Sequence, residues 1–539
     1  MGAGSVTNSD AKAPSWKLAP PHDNQTQGIV VSGFNTLPSA LALFLEFGPK
    51  QTPGDGGPTG SWLQTLTHVA PITDADAPDQ RAASIAFTWT GLQKLGLPDA
   101  ALASFSAPFR EGMYQEDRLR RLGDKINDDW QATVLDGGPR WSANIPARKA
   151  GSAPSQSPLG YVGGRPEGDE RQVTTPNTVH ALLLLYDKND EAVAAWADDV
   201  EAALNTQAVK IVHRLLLSLR LDSNGVGREH FGFADGLSQP IPYDAGSGTV
   251  VVGGKPAPRD FWDGVPLGDI LIGHHDAHCE KVPGPVVPDC PRARDAGLVA
   301  NGSPAGFLSF GLNGSYMVVR ELRQNVAAFW ESLTAAAARL QAQQPSASIG
   351  PDWLAERVIG RNIDGHLLCP GGGVLPPDQY GFPQNDFLFK KSDPLGYGCP
   401  LGSHVRRANP RDGLAKDMAS AQTLLDASNN HRILRRGRKY GTPLARNEPD
   451  DHADRGLLFI CLNTDIARQF EFIQQRWLLN RNFATLFDES DPLVGPKGPF
   501  TVNQAPLRTI VDVETFVQCA GGEYFFLPSI PALNYLASL

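Results

Sequence analysis

Apolar residues along the chain fall into short dense runs separated by longer polar stretches, a rhythm of brief strands and intervening helices. GIVVSGF, residues 28–34, is β-branched and closed by glycine, and reads as a strand leading into a helix-like ALALFLEF at 40–47. Ala83–Trp89 and His180–Tyr186 read as further strands, the second apolar on both faces like a buried strand. Ala192–Leu204 and Val209–Leu219 carry helical periodicity. In the second half Gly268–Gly273, Ser315–Val319, Leu457–Leu462 and Glu523–Leu527 are strand-like, while Asn325–Gln343 and Ile466–Leu479 are amphipathic helices. The latter places Ile466, Phe470, Ile473 and Trp477 at helical spacing.

This grammar lacks the regular βαβ alternation of a doubly wound sheet, so an α+β fold with mainly antiparallel sheets is expected. At 539 residues the chain has room for two halves, although no residue-level repeat links them. Residues 1–26 are polar and proline-rich and read as a flexible arm, followed by an N-terminal domain over 27–245 and a C-terminal domain over 246–539. Residues 140–175 form a Gly/Pro/Ser-rich excursion, and 246–258, 281–306 and 369–400 read as surface insertions.

Composition narrows the function. With 48 basic and 58 acidic side chains the net charge is −10, which gives no footprint for nucleic acid or an anionic membrane surface. No apolar stretch is long enough to span a bilayer. No export signal is readable at the N-terminus, so a cytoplasmic protein is expected, or an extracellular one if a leader has been removed. The six cysteines, Cys279, Cys290, Cys369, Cys399, Cys461 and Cys519, form no CxxC and no CxxCH, which leaves zinc ribbons and covalent c-type haem without support.

Three segments carry candidate chemistry. His404 in CPLGSHVRRANPRD is a possible iron, zinc or copper ligand beside arginines that suit an anionic group. The plain alternative is a loop histidine among solvated arginines. GFADG, residues 232–236, places one carboxylate in a tight glycine turn, a pattern that is often only a turn. RILRRGRKYG, residues 432–441, embeds arginines in an apolar context, where a charge run is usually a solvated face. GHHDAHC, with His274, His275, His278 and Cys279, has metal-ligand residue types but no common metal spacing.

In this order, with LLFICLNTDIARQFEFIQQRWL and GGEYFFLP following, these segments resemble the dye-decolourising (DyP-type) haem peroxidase family, in its longer elaborated branch. SIAFTWTGLQKLGL and NGSYMVVRELRQNVAAFW add to the likeness, which runs from about Gly28 onward. The resemblance implies two ferredoxin-like domains packed as a dimeric α+β barrel, with one non-covalent haem b in a cavity of the C-terminal half. It implies His404 as the axial iron ligand, Asp235 as distal acid/base and Arg435 as the distal arginine. Gly236, Leu237, Asn409, Pro410 and Arg411 would line the haem, with Arg411 near a propionate. Asp465 resembles the carboxylate that holds the proximal imidazole, with Glu471 as the alternative. Gly437 stands where some relatives carry a distal asparagine.

The implied activity is oxidation of dyes and phenolic compounds by hydrogen peroxide, with Mn(II) as a further candidate substrate, whether the chain is a monomer or a homodimer. A carrier or iron-releasing protein using the same pocket is the alternative, although a carrier needs no distal Asp/Arg pair. An Asp base implies an acidic activity optimum. Bulky dyes require a redox-active side chain at the surface. Tyr440 is the candidate, with Arg438 and Lys439 to attract sulfonates, in preference to Trp477.

Overall fold

The computed structural model describes residues 16–48, 60–76, 81–126, 129–144, 176–205, 207–223, 225–244, 249–252, 255–258, 262–345, 348–378, 381–446, 448–503 and 508–539. Nine strands build its central sheet: β1 Ser39–Phe47, β2 Ala82–Phe87, β3 Ala181–Asp187, β4 Val209–Ser218, β5 Ser315–Gln324, β6 Leu434–Arg435, β7 Arg438–Tyr440, β8 Gly456–Asn463 and β9 Val517–Leu527. Their order is β5-β9-β2-β3-β1-β4-β7-β8, with β6 beside β7 on β8, and β8 pairs back onto β5 to close a barrel. All these pairings are antiparallel.

Within the barrel the first half contributes β2-β3-β1-β4 and the second β9-β5-β8-β7. Each is a four-stranded sheet whose first and third strands are central, the ferredoxin-like arrangement. The repeat that the residues conceal is therefore present in the topology. β4–β7 and β2–β9 are the two seams. The change-over lies between Ser218 and Ser315, and the boundary expected at 245/246 falls inside that connection.

A closed barrel buries both faces of its strands. Ala42, Phe44, Leu184, Met317, Val319, Ile460 and Phe525 fill the interior. Leu43, Ile85, Leu183, Val318 and Phe526 face outward against the helices α1 Ser61–Val69, α2 Asp190–Asn205 and α3 Ile530–Ala537. ALALFLEF, rich in helix-favouring Ala and Leu, is not a helix but most of β1, and GIVVSGF is not a strand but a 3₁₀ turn at Gly28–Val30. Val209–Leu219 is strand β4, not a helix. Its register against β1 shifts between Phe44 and Leu45, an irregularity that breaks the period-two signal. Gly268–Gly273 is not a strand: a 3₁₀ turn at Leu267–Asp269 leads Ile270 and Leu271 into the barrel core.

The expected flexible arm is described only from Trp16, where it is packed. Trp16 joins the core, and Gln25 accepts a hydrogen bond from Asn313. The 369–400 segment is more than a surface insertion, since Phe387 and Phe389 form a buried cluster with Leu367, Leu368 and Cys399. Most of the 140–175 excursion lies outside the described residues. All six cysteines are free. Among the described residues no helix is long and apolar enough to cross a membrane.

Candidate active site

Two loops and one short strand meet at the site. The first loop carries GFADG. Its approach is anchored by Phe231 and Phe233, buried in a core with Phe329, whose ring stacks on Phe231 at 4.4 Å. Half-buried Glu229 fastens the turn by accepting from the Phe231 and Phe233 amides, both at 2.8 Å, and from Gln324 Nε2 at 2.8 Å. Gly236 has φ +82°, and a Cβ there would meet nothing within 4 Å, so the chain turns beside open space.

Asp235 Oδ1 accepts from the Gly236 amide at 2.6 Å, and Oδ2 is paired with the Lys439 ammonium at 3.2 Å. Burial favours the neutral acid, but Lys439 and Arg435 outweigh it and hold this carboxyl below its ordinary range. Arg435, on β6, donates to the Leu237 carbonyl. Gln239 mimics a neighbouring strand by bonding both the amide and the carbonyl of Arg435, each at 3.1 Å. Asp235 and Arg435 thus lie close enough to interact. At Gly437 a Cβ would lie 2.6 Å from the Leu458 carbonyl, so the barrel wall leaves no room for a side chain there.

The second loop enters the short helix His404–Ala408. His404 Nδ1 lies 3.0 Å from Oδ2 of Asp491, whose side chain is fully buried. Asp491 Oδ1 accepts from the Leu493 and Val494 amides at 2.9 and 3.0 Å. Burial alone would raise this acid; the His404 pairing, those amides and Arg407 reverse the sign and hold it below its ordinary range. An ionised partner makes Nδ1 the donor and leaves Nε2, on a side chain 28% exposed, with its lone pair outward.

The carboxylate behind His404 is therefore Asp491, neither Asp465 nor Glu471. Asp465 is 46% exposed and accepts from the Arg468 amide. Glu471 is held by Arg118 at 2.7 Å and by the Tyr524 hydroxyl. The arginines after His404 are not solvated. Arg407 donates to the carbonyls of Trp477, Leu478, Asn480 and Glu489, capping the wide-turned Ala467–Leu478 helix, and Arg406 donates to Cys399 O over the Phe389 ring.

Arg411 joins the two loops. It donates to Ser238 Oγ, three residues past Asp235, to the Phe387 carbonyl and to Asp263 at 3.2 Å. Arg432 reaches the same Asp263 at 2.9 Å. With Arg361 also close enough to interact, three guanidinium groups bear on Asp263, while Asp412 lies near Arg411 and Arg435 lies beyond them against Asp235. Arg361 is lowered to about 10 by burial and by repulsion from Arg411. Such a surplus of positive charge suits a further anionic group. Beside it both amide atoms of Asn409 are buried with no partner among the described residues.

Tyr440 is not at the surface. It is 4% exposed inside the barrel, and its hydroxyl has no partner among the described residues. Arg438 and Lys439 are equally buried and offer no dye-docking face; Arg438 donates to the carbonyls of Gly33, Phe34 and Leu37. At GHHDAHC, His274 pairs with Asn313, and among the described residues no group of His, Cys, Asp or Glu is arranged to hold a metal ion.

No protein-family model matches the chain. A curated relative does: the multifunctional dye peroxidase DyP2 of Amycolatopsis is 30% identical over 387 residues, covering 67% of this chain and 71% of that protein. The chain belongs to the dye-decolourising peroxidase family. The dye-decolourising peroxidase msp1 of Mycetinis scorodonius matches more of the length, 26% identical over 508 residues, 88% of this chain and 80% of that one. The crystal structure of an Anabaena DyP-type peroxidase superposes with a TM-score of 0.66 at 24% identity, over 96% of this chain and 94% of that one. That last likeness places the barrel of paired ferredoxin-like units within the fold of these peroxidases.

Proposed function

We propose that this dye-decolourising peroxidase binds one non-covalent haem b through His404 and uses hydrogen peroxide to oxidise dyes and phenolic compounds, with Mn(II) as a further reductant. The observation that carries the reading is the His404–Asp491 pair, a buried carboxylate fixing one imidazole nitrogen so that the other is a basic, outward ligand. The residues present suit haem on three further counts: the arginine surplus around Asp263 for propionates, the unpartnered Asn409 amide, and open space at Gly236.

When bound, the haem supplies the two-electron reduction of peroxide and the one-electron oxidation of the reductants. The chain's own residues do the rest. Asp235, ionised when peroxide arrives, would take a proton from one oxygen of hydrogen peroxide and return it to the other, which leaves as water. Arg435 supplies fixed positive charge where negative charge grows as the O–O bond stretches, without itself titrating. Asp491 keeps the Nδ1 proton of His404 and strengthens Nε2 as a donor.

An optical spectrum of the haem-reconstituted protein tests this directly. A Soret band is expected in the parent and its loss in His404→Ala, because no neighbouring side chain replaces the axial bond. Full haem occupancy with an unchanged spectrum in that variant would place the ligand elsewhere.

A further inference from the structure

We propose that Lys439 is a positioning residue for the distal carboxylate, its buried ammonium fixing Asp235 in place and ionised beside Arg435. The inference rests on the reading of Asp235 as the proton-transfer group. It starts from a side chain that has no structural reason to be charged: Lys439 sits on β7 with its side chain 3% exposed, a burial that lysine tolerates only when paired.

Its pairing partner is Asp235, at 3.2 Å. Most of the other charged groups around the pair are already committed, and Arg220 faces Glu229. Glu229 is taken up by two loop amides and Gln324. His230, near Lys439, Arg220 and Arg455, is lowered to about 4 chiefly by burial and bonds the Tyr440 carbonyl. Arg455 is paired with Asp451. Arg435 turns its guanidinium to the Leu237 carbonyl. Asp235 thus has one oxygen on its own turn amide and the other on Lys439. Removing that ammonium takes away its nearest cation, which makes the carboxyl easier to protonate and frees it to swing toward Arg435.

The test is a pH-difference infrared titration of the haem-loaded full chain, with the Asp235 carboxyl band identified by its loss in Asp235→Asn. In Lys439→Met the protonation midpoint should rise by about one pH unit or more, and Lys439→Arg should restore most of the parental value. The acid limb of cyanide binding, which needs the distal base to take the proton of HCN, should move in the same direction. If Lys439→Met does not fold, Lys439→Gln, polar and of similar reach, carries the comparison. An unmoved carboxyl midpoint would show that Lys439 merely fills space and would overturn the proposal. A shifted midpoint with an unshifted cyanide limb would uphold the hold on Asp235 and sink instead the assignment of Asp235 as the base.

Discussion

Asp235 and Asp491 are both acids kept ionised by their neighbours, and the site uses the two charges differently. On the proposed function Asp491 keeps its charge throughout and orients His404 through Nδ1. Replacing it with Asn should leave the fold intact and weaken haem retention by about 10–100-fold, measured by haem transfer to a competing apoprotein. On the same proposed function Asp235 exchanges a proton, so Asp235→Asn should leave haem bound and slow the reaction with peroxide by about 10²–10⁴-fold, read by stopped-flow absorbance. Arg435→Leu tests the other distal group; if it loses more than Asp235→Asn, fixed charge dominates and proton transfer is auxiliary. Because Lys439 and Arg435 hold the Asp235 carboxyl below its usual range, the base form persists in acid. The acid limb of peroxide reactivity should therefore lie below the ordinary Asp value of about 3.9. Asp235, Arg435 and His404 could be singled out because each sits inside a short motif. Asp491 could not, because it reaches His404 from 87 residues away through folding alone. Asp465 and Glu471 only mimicked it by lying within a recognisable segment.

At the scale of elements, two-sided burial did not by itself hide a strand. Strands β3, β5, β8 and β9 read as short dense apolar runs although both their faces are buried, and the helix over Asn325–Gln343 shows its amphipathic period, while β1 is built from helix-favouring Ala and Leu and the register of β4 shifts against it. The joints between elements are where pH acts. His180 accepts from the Phe47 amide through Nδ1 at 2.9 Å, tying the start of β3 to the end of β1, and His230 ties the distal loop to the Tyr440 carbonyl. Burial lowers both to about 4. The unfolded chain takes up protons at these histidines below about pH 6.5, whereas the folded chain resists until about pH 4. Their stabilising contribution is therefore complete above pH 6.5 and is lost as pH falls toward 4, at up to about 1.4 kcal/mol per pH unit for each histidine. Melting temperature should drop across that window, and His180→Gln should flatten the dependence; an equally steep profile in the variant would assign the loss to other groups.

For the whole molecule, the decisive feature is that the barrel belongs to neither half. β4 meets β7 and β2 meets β9 across the two seams, and the interior draws Phe44 and Leu184 from one half and Val319, Ile460 and Phe525 from the other. Separating the halves would expose four strand edges and open the interior to water, so neither half has a closed core of its own. The seams are also what carry the site, because Lys439 and Tyr440 of β7 pair with Ser218 and Leu217 of β4, just ahead of the loop that holds Asp235. One cooperative unfolding transition is therefore expected, despite a length at which independent domains are common. Tryptophans in both halves report on it: Trp62, Trp141 and Trp196 in the first, Trp330 and Trp477 in the second. Far-ultraviolet circular dichroism and tryptophan fluorescence should give coincident melting curves. A fluorescence transition separated from the circular dichroism one by more than a few degrees would show that the halves fold as independent units and that the seams are only docked surfaces.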